Sequence, residues 1–256
     1  MDQIFLHVGS FTIRWYGVMA ALGFMSSYGI IHHYRKEAGM SSDQVSSLIF
    51  ISMISGILGA RIFYVIQFWE QFRDRHSEII RIDHGGLVFY GGFFLVIIAL
   101  VIFCRKHKLD IWRVMDVVAV ALPLGHAFGR VGCFLNGCCY GKPTECALGV
   151  NFPAGTPPAM HYPGLHLHPV QLYEVFANLI FFVVLLLMFK RVKRGQLAAL
   201  YCIGYGIIRF VDEFFRGDHV NLILGIFTKA QFIGLFLIPC GIVMFYIFGK
   251  KSSPSK

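Results

Sequence analysis

The segment Gly125-His126-Ala127-Phe128-Gly129-Arg130-Val131-Gly132-Cys133-Phe134-Leu135-Asn136-Gly137-Cys138-Cys139-Tyr140 puts an arginine, spaced glycines, an asparagine and three cysteines at the end of a hydrophobic run. A cation at bilayer depth costs about 2.5–3.5 kcal/mol on insertion scales, so it persists where it faces water, a partner or an anion. Snorkelling to the membrane boundary is the plain alternative for Arg130. Gly129 and Gly132 speak against it, because they flank the arginine with a gap rather than with long apolar side chains. Glycines let a backbone or a ligand approach closely. The local chemistry is a pocket for something anionic that arrives through the membrane.

A second cluster lies downstream. Tyr205, Arg209 and Glu213 follow at four-residue spacing, which places them on one helical face, beside Asp212 and Arg216. One reading is a self-satisfied ion pair that fixes helix packing. The other is an arginine oriented by Glu213 and aimed at a phosphate, for which the planar guanidinium fork is suited. Arg61 lies in mid-span behind Gly56 and Gly59. Three unrelieved arginines would cost roughly 7–10 kcal/mol. Glu213 alone does not neutralise three, so a missing anion is expected.

His168-Pro169-Val170-Gln171-Leu172-Tyr173-Glu174 opens a further hydrophobic run. Pro169 suits a helix first turn, Gln171, Tyr173 and Glu174 read as interfacial capping groups, and His168 is a proton acceptor near neutral pH. Tyr90 sits among Gly85, Gly86, Gly91 and Gly92, which suggests a bent start to a span beside a ligand or another helix. Tyr90, like Tyr16, is either a belt aromatic or a site hydroxyl. Cys133, Cys138, Cys139 and Cys146, with His126, invite a metal reading. Their linear spacing is neither the paired C-x2-C of zinc sites nor a common iron–sulfur run. No metal and no cofactor is therefore expected. An extracytoplasmic disulfide and small packed thiols both remain open.

The elements that must carry these residues are membrane helices. The chain of 256 residues is 56% hydrophobic and 14% charged, where a soluble domain is nearer a quarter charged. An all-α polytopic bundle is expected, a single integral membrane domain over 1–256. A crossing takes about 17–25 apolar residues, and seven runs qualify: about 15–31, 45–68, 87–104, 114–134, 172–189, 197–215 and 230–248. Thirteen Lys and Arg then fall on one side of the membrane, at 35–36, 105–113, 190–194 and 250–256, and seven on the other. The excess marks the cytoplasm, so the N-terminus is expected outside and the C-terminus inside, with Arg130 and the end of the sixth span facing outward. The proline-rich segment 137–171 is the one sizeable loop, turn-rich rather than helical, and 250–256 is a short disordered basic tail. The start MDQIFLHVGSFTIRWYG lacks a basic n-region and a small-residue cleavage site, so the first span is expected to serve as the targeting signal. The net charge of +9 fits loop anchoring and anionic lipid. With no basic stripe interleaved with aromatics, nucleic acid is not an expected partner.

Taken together these segments resemble the prolipoprotein diacylglyceryl transferases of bacterial membranes. The resemblance runs in order from Arg14-Trp15-Tyr16-Gly17 through Gly85–Gly92, Asp116, Gly129–Gly141 and His168–Glu174 to Tyr205–Arg216. It implies an enzyme of the bacterial inner membrane with its site on the extracytoplasmic side. Phosphatidylglycerol would enter laterally. The thiol of the lipobox cysteine in a prolipoprotein signal peptide would attack the glycerol carbon bearing the phosphate, forming a thioether and releasing glycerol 1-phosphate. It implies essential arginines at Arg130 and Arg209, supported by Glu213 and Tyr205, and further substrate-binding positions at Tyr16, Asn136 and Gly141, with Arg61 and Gly132 completing the candidate set. The sequence departs from the family block at Cys133, which stands for an asparagine, and at Cys138, which stands for a glutamate. Tyr90 stands where the family has a histidine, which leaves His168 or His126 for the general base. The local chemistry agrees, since phosphate departure develops negative charge that arginines stabilise.

Two rivals belong to other classes. A membrane thiol oxidoreductase would use Cys138 and Cys139. A transporter or lipid-binding protein would need discontinuous helices or repeat halves, and the sequence shows no repeat.

Overall fold

The computed structural model describes residues 3–9, 11–81, 85–218, 222–223 and 227–251, so most of the tail at 250–256 lies outside the described residues. A hairpin of β1 (Ile4–Val8) and β2 (Phe11–Arg14) runs directly into α1 (Trp15–His33). Then come α2 (Ser42–Gln67), the single turn α3 (Trp69–Phe72), α4 (Phe89–Lys106) and α5 (Ile111–Asn136). After the turn-rich segment, which holds the short α6 (Pro157–His161), follow α7 (Val170–Met188) and α8 (Gln196–Phe215). A two-residue hairpin, β3 (Leu222–Ile223) with β4 (Phe227–Thr228), precedes α9 (Lys229–Lys251).

The seven expected spans coincide with the seven long helices, each within a few residues. Five of them, α2, α4, α5, α7 and α9, are long and apolar enough to cross a membrane. Large apolar side chains such as Ile66, Ile180 and Phe236 project outward from them, as they do where lipid rather than water is the solvent. The chain is a polytopic helical membrane protein. Helix α8 is set apart by Arg209, Asp212 and Glu213, all buried.

The chain divides into two compact units, residues 32–114 and residues 1–31 with 115–256. In the first, α2 and α4 pack through glycines. A Cβ on Gly92 would come within 2.7 Å of the Gly56 carbonyl, and Gly59 and Gly91 would collide with each other's backbone in the same way. Small residues permit such close approach where helices have no hydrophobic drive to associate in lipid. Of the two readings of the Gly85–Gly92 run, the neighbouring helix is the one seen for Gly91 and Gly92. Helix α2 starts on a capping box, with the Ser41 hydroxyl accepting from the Gln44 amide and the Gln44 side chain accepting from the Ser41 amide.

The second unit holds the remaining long helices. Val120, Leu185 and Leu197 join α5, α7 and α8 in a buried core. Helix α8 packs on α9 through Gly206 and Gly234. Its N-terminus is fixed from α5, where the buried Asp116 carboxylate accepts from the Gly195 amide at 2.5 Å and the Ala198 amide at 3.0 Å. A carboxylate there satisfies orphan amides and complements the helix dipole. Beneath segment 137–171, Tyr140, Phe152 and Leu167 form a small core of their own, so this loop is packed rather than loose.

Candidate functional site

Both dense motifs of the sequence meet in the second unit. Arg130 projects from the penultimate turn of α5, and its Nε forms an ion pair with Glu174 Oε2 at 2.8 Å. Glu174 is buried in the first turns of α7, 2% exposed at its side chain. It lies within electrostatic reach of Asp212 of α8. Asp212 accepts from Arg209 Nη1 at 2.8 Å, and Arg209 Nη2 donates to Glu213 at 2.6 Å. Glu213 is 4.0 Å from Arg216, which forks onto Asp218 at 3.0 and 2.8 Å. Three arginines and four carboxyls thus form one cluster across α5, α7, α8 and the turn after α8.

The expectation that only Glu213 balances the arginines is corrected here. Asp212 also pairs with Arg209, and Glu174 with Arg130, so a missing anion is not needed to account for Arg209. Arg130 differs. Its guanidinium makes one ion pair, through Nε, while Nη1 and Nη2 have no partner among the described residues. Its side chain stays 20% exposed.

The residues nearby are held closely. Tyr205 sits one turn before Arg209 and stacks on Tyr201 at 5.7 Å between ring centroids. The His126 ring lies 5.2 Å from that of Tyr205. His126 Nδ1 is buried with no hydrogen-bond partner in the described structure. His168 lies between Val150–Leu167 pairing and α7, and its Nδ1 meets the Tyr173 hydroxyl at 3.1 Å. Gln171, read as an interfacial cap, is 1% exposed and donates from Nε2 to the Cys138 carbonyl at 2.7 Å. Glu174 and Gln171 are therefore buried site-forming groups and not interfacial caps. Helical periodicity carried the clue, because 171, 174 and 178 share one buried face of α7.

Tyr16 opens α1. Its phenol lies within electrostatic reach of Cys133, Cys138, Cys139 and Arg130. Together with Thr12, Ile13, Arg14, Gly17 and Asn136 it lines a cavity of about 500 Å³. Gly132 allows this helix contact, since a Cβ there would stand 3.2 Å from Tyr16 and Met19 atoms. Gly141 has a different reason: a Cβ would be 2.5 Å from the His168 carbonyl that its own amide binds at 3.1 Å.

The three cysteines of the motif converge. The Sγ atoms of Cys133, Cys138 and Cys139 lie within 4.8 Å of one another, and all three are free thiols. Hydrogen bonds from the Cys133 and Cys138 thiols hold Cys139 below the usual thiol range, against the effect of burial, and Arg216 and Arg130 add to the lowering. Next to them, burial pushes the Tyr140 phenol up, and its hydroxyl is hydrogen-bonded to His161 Nδ1. Cys146 is exposed and separate from the triad.

Arg61 and Tyr90 belong to the other unit. Arg61 donates to four backbone carbonyls, those of Glu78, Ile79, Gly85 and Gly86, at 2.5–3.0 Å. Its guanidinium also lies over the Tyr64 and Phe72 rings. It pins the 78–86 segment to α2. Tyr90 is 40% exposed in the first turn of α4 and packs edge-on against Phe89.

Comparison with known proteins agrees with this geometry. The prolipoprotein diacylglyceryl transferase family model matches residues 3–247. A phosphatidylglycerol–prolipoprotein diacylglyceryl transferase of Clostridium tetani is 35% identical over 248 residues, covering 96% of this chain and 98% of that protein. The protein of that name from Acinetobacter baumannii strain AYE is 33% identical over 263 residues, covering 98% and 94%. Its counterpart from Ehrlichia canis strain Jake is 35% identical over 253 residues, covering 94% of each. The match spans both units and every segment of the site, and the chain belongs to the prolipoprotein diacylglyceryl transferase family.

Proposed function

We propose that this protein transfers the diacylglyceryl group of phosphatidylglycerol to the thiol of a prolipoprotein lipobox cysteine. The sulfur attacks the glycerol carbon that bears the phosphate. The C–O bond breaks, its electron pair goes to the phosphate oxygen, glycerol 1-phosphate leaves, and the thiol proton passes to a base. The enzyme crosses the bacterial inner membrane seven times, N-terminus out and C-terminus in, with its site on the extracytoplasmic side.

The observation that carries this reading is the half-used guanidinium of Arg130. Glu174 fixes its orientation through Nε, and the two free Nη groups form the fork that a phosphodiester accepts. They bind the phosphate in the ground state and meet the charge that develops as it leaves. Arg209 acts from behind: Asp212 and Glu213 hold it rigid, and through Asp212 and Glu174 it sets the position of Arg130. Tyr205 packs beside this group. Tyr16 and Asn136 line the cavity in which the glycerol backbone sits, Gly132 and Gly141 admit the close backbone packing around it, and Arg61 holds the 78–86 segment. His168, with Nε2 left available by its Nδ1 contact to Tyr173, takes the thiol proton. Tyr90 adds a hydroxyl at the lipid boundary.

The test uses purified protein in detergent with phosphatidylglycerol and a synthetic lipobox peptide, read by mass spectrometry. The expected result is a diacylglyceryl adduct on the cysteine peptide and none on its Cys→Ser control. Folded, lipid-binding protein that makes no adduct would overturn the proposal.

A further inference from the structure

Three thiols gathered beside two guanidiniums have no part in the transfer as drawn above, because the attacking sulfur belongs to the acceptor peptide. Their grouping is built into the backbone. Cys133 lies in the last turn of α5, the Cys138 amide returns to the Cys133 carbonyl at 3.1 Å, and the turn between them uses Gly137 at φ 70°. Cys139 then takes φ 61°, which a non-glycine residue rarely adopts. Spacing that looked wrong along the chain is therefore compact in space. Around a tetrahedral Zn²⁺ with Zn–S of about 2.3 Å, sulfurs stand roughly 3.8 Å apart. The triad, within 4.8 Å throughout, needs to contract by about 1 Å at most.

We infer that Cys133, Cys138 and Cys139 bind a thiophilic divalent ion of the Zn²⁺ class, whose fourth position receives the acceptor thiol. Three protein ligands with one open position is the pattern of catalytic rather than structural zinc. Three thiolates on Zn²⁺ carry a net charge of −1, and Arg130 and Arg216, both within electrostatic reach of Cys139, compensate it. Tyr16, at the mouth of the 500 Å³ cavity, reaches the same sulfurs. The inference rests on the transferase reading and deepens it.

A thiol that coordinates such an ion is deprotonated outright, and its proton passes to His168. The bound sulfur attacks the glycerol carbon, the C–O electron pair goes to the phosphate oxygen, and a neutral thioether forms. The thioether is a poor ligand and departs, so the position reopens for the next thiol. No oxidant or reductant enters the balance.

Metal analysis of purified protein should find one zinc per chain, absent from Cys133→Ser, Cys138→Ser and Cys139→Ser and retained in Cys146→Ser. Cobalt substitution should give thiolate-to-metal absorption that a lipobox cysteine peptide perturbs and its serine control does not. Chelation should slow transfer about 30-fold at pH 7, where a free thiol of pKa ~8.5 is only about 3% ionised, and Zn²⁺ should restore it. Undiminished transfer by metal-free enzyme would overturn the metal site and leave the transferase standing. So would a disulfide within the triad in fully active protein. One bound zinc with no adduct under any condition would instead overturn the transferase reading, while the metal stoichiometry and its loss in the three variants would remain.

Discussion

Arg61 and Arg130 are the same residue type in two apolar helices, and they solve burial in opposite ways. Arg61 spends four N–H groups on backbone carbonyls and has aromatic rings against its face. It faces no carboxylate among the described residues, yet four of its five donors are used. Arg130 has a carboxylate partner at 2.8 Å, yet two of its nitrogens remain open. Donor bookkeeping, and not depth or net charge, separates an arginine that holds a segment from one that can hold a ligand.

Breaking the chain of charges at its centre should have the largest effect. Glu174→Ala strands the Arg130 cation in a buried site, and losing one partner of such a pair costs about 3–5 kcal/mol. Thermal unfolding in detergent should show a large loss, and Glu174→Gln a smaller one; equal stability of Glu174→Ala and wild type would dissolve the distinction drawn for Arg130. Arg130→Ala comes next. It strands the buried Glu174 carboxylate and so should also cost stability, but transfer by the folded fraction should fall by a further 10²–10³, about 3–4 kcal/mol of transition-state stabilisation, with Lys restoring only part because it lacks the fork. Near-normal turnover of Arg130→Ala would remove its phosphate role.

Arg61→Ala tests the other side of the comparison. Orphaned carbonyls cost about 1–3 kcal/mol, so melting temperature should fall while kcat/KM of the folded fraction changes little. A change in KM for phosphatidylglycerol without loss of stability would return Arg61 to the substrate site. The smallest effect is expected from Asp116→Ala, which uncaps α8 for about 0.5–2 kcal/mol. Limited proteolysis near Gly195 should sharpen, and an unchanged digest would show that the cap is dispensable.

Much of this was legible in the chain. Apolar run length located every long helix, and four-residue spacing put Tyr205, Arg209 and Glu213 on one face. Periodicity assigns residues to faces but does not pair faces, and that is why the carboxyl partners were missed. Asp212 read as a neighbour of the cluster and Glu174 as a cap, although in the structure they partner Arg209 and Arg130. The carbonyl cage of Arg61 was hidden for a similar reason, because backbone acceptors at 78–86 have no sequence signature. The thiol triad was obscured by a turn. Four residues separate Cys133 from Cys138, and only the positive φ angles at Gly137 and Cys139 fold that interval back on itself.

The pairing of Gly141 with Arg216 also sets a timetable. The Lys142 amide binds the Phe215 carbonyl and the Gly217 amide binds the Tyr140 carbonyl, so the stretch after the cysteine turn is closed by residues made about 75 positions later. At ~5–20 residues per second of synthesis, the nascent chain passes roughly 4–15 s before that latch exists. During biogenesis the three thiols are therefore made well ahead of the end of α8 that completes their surroundings.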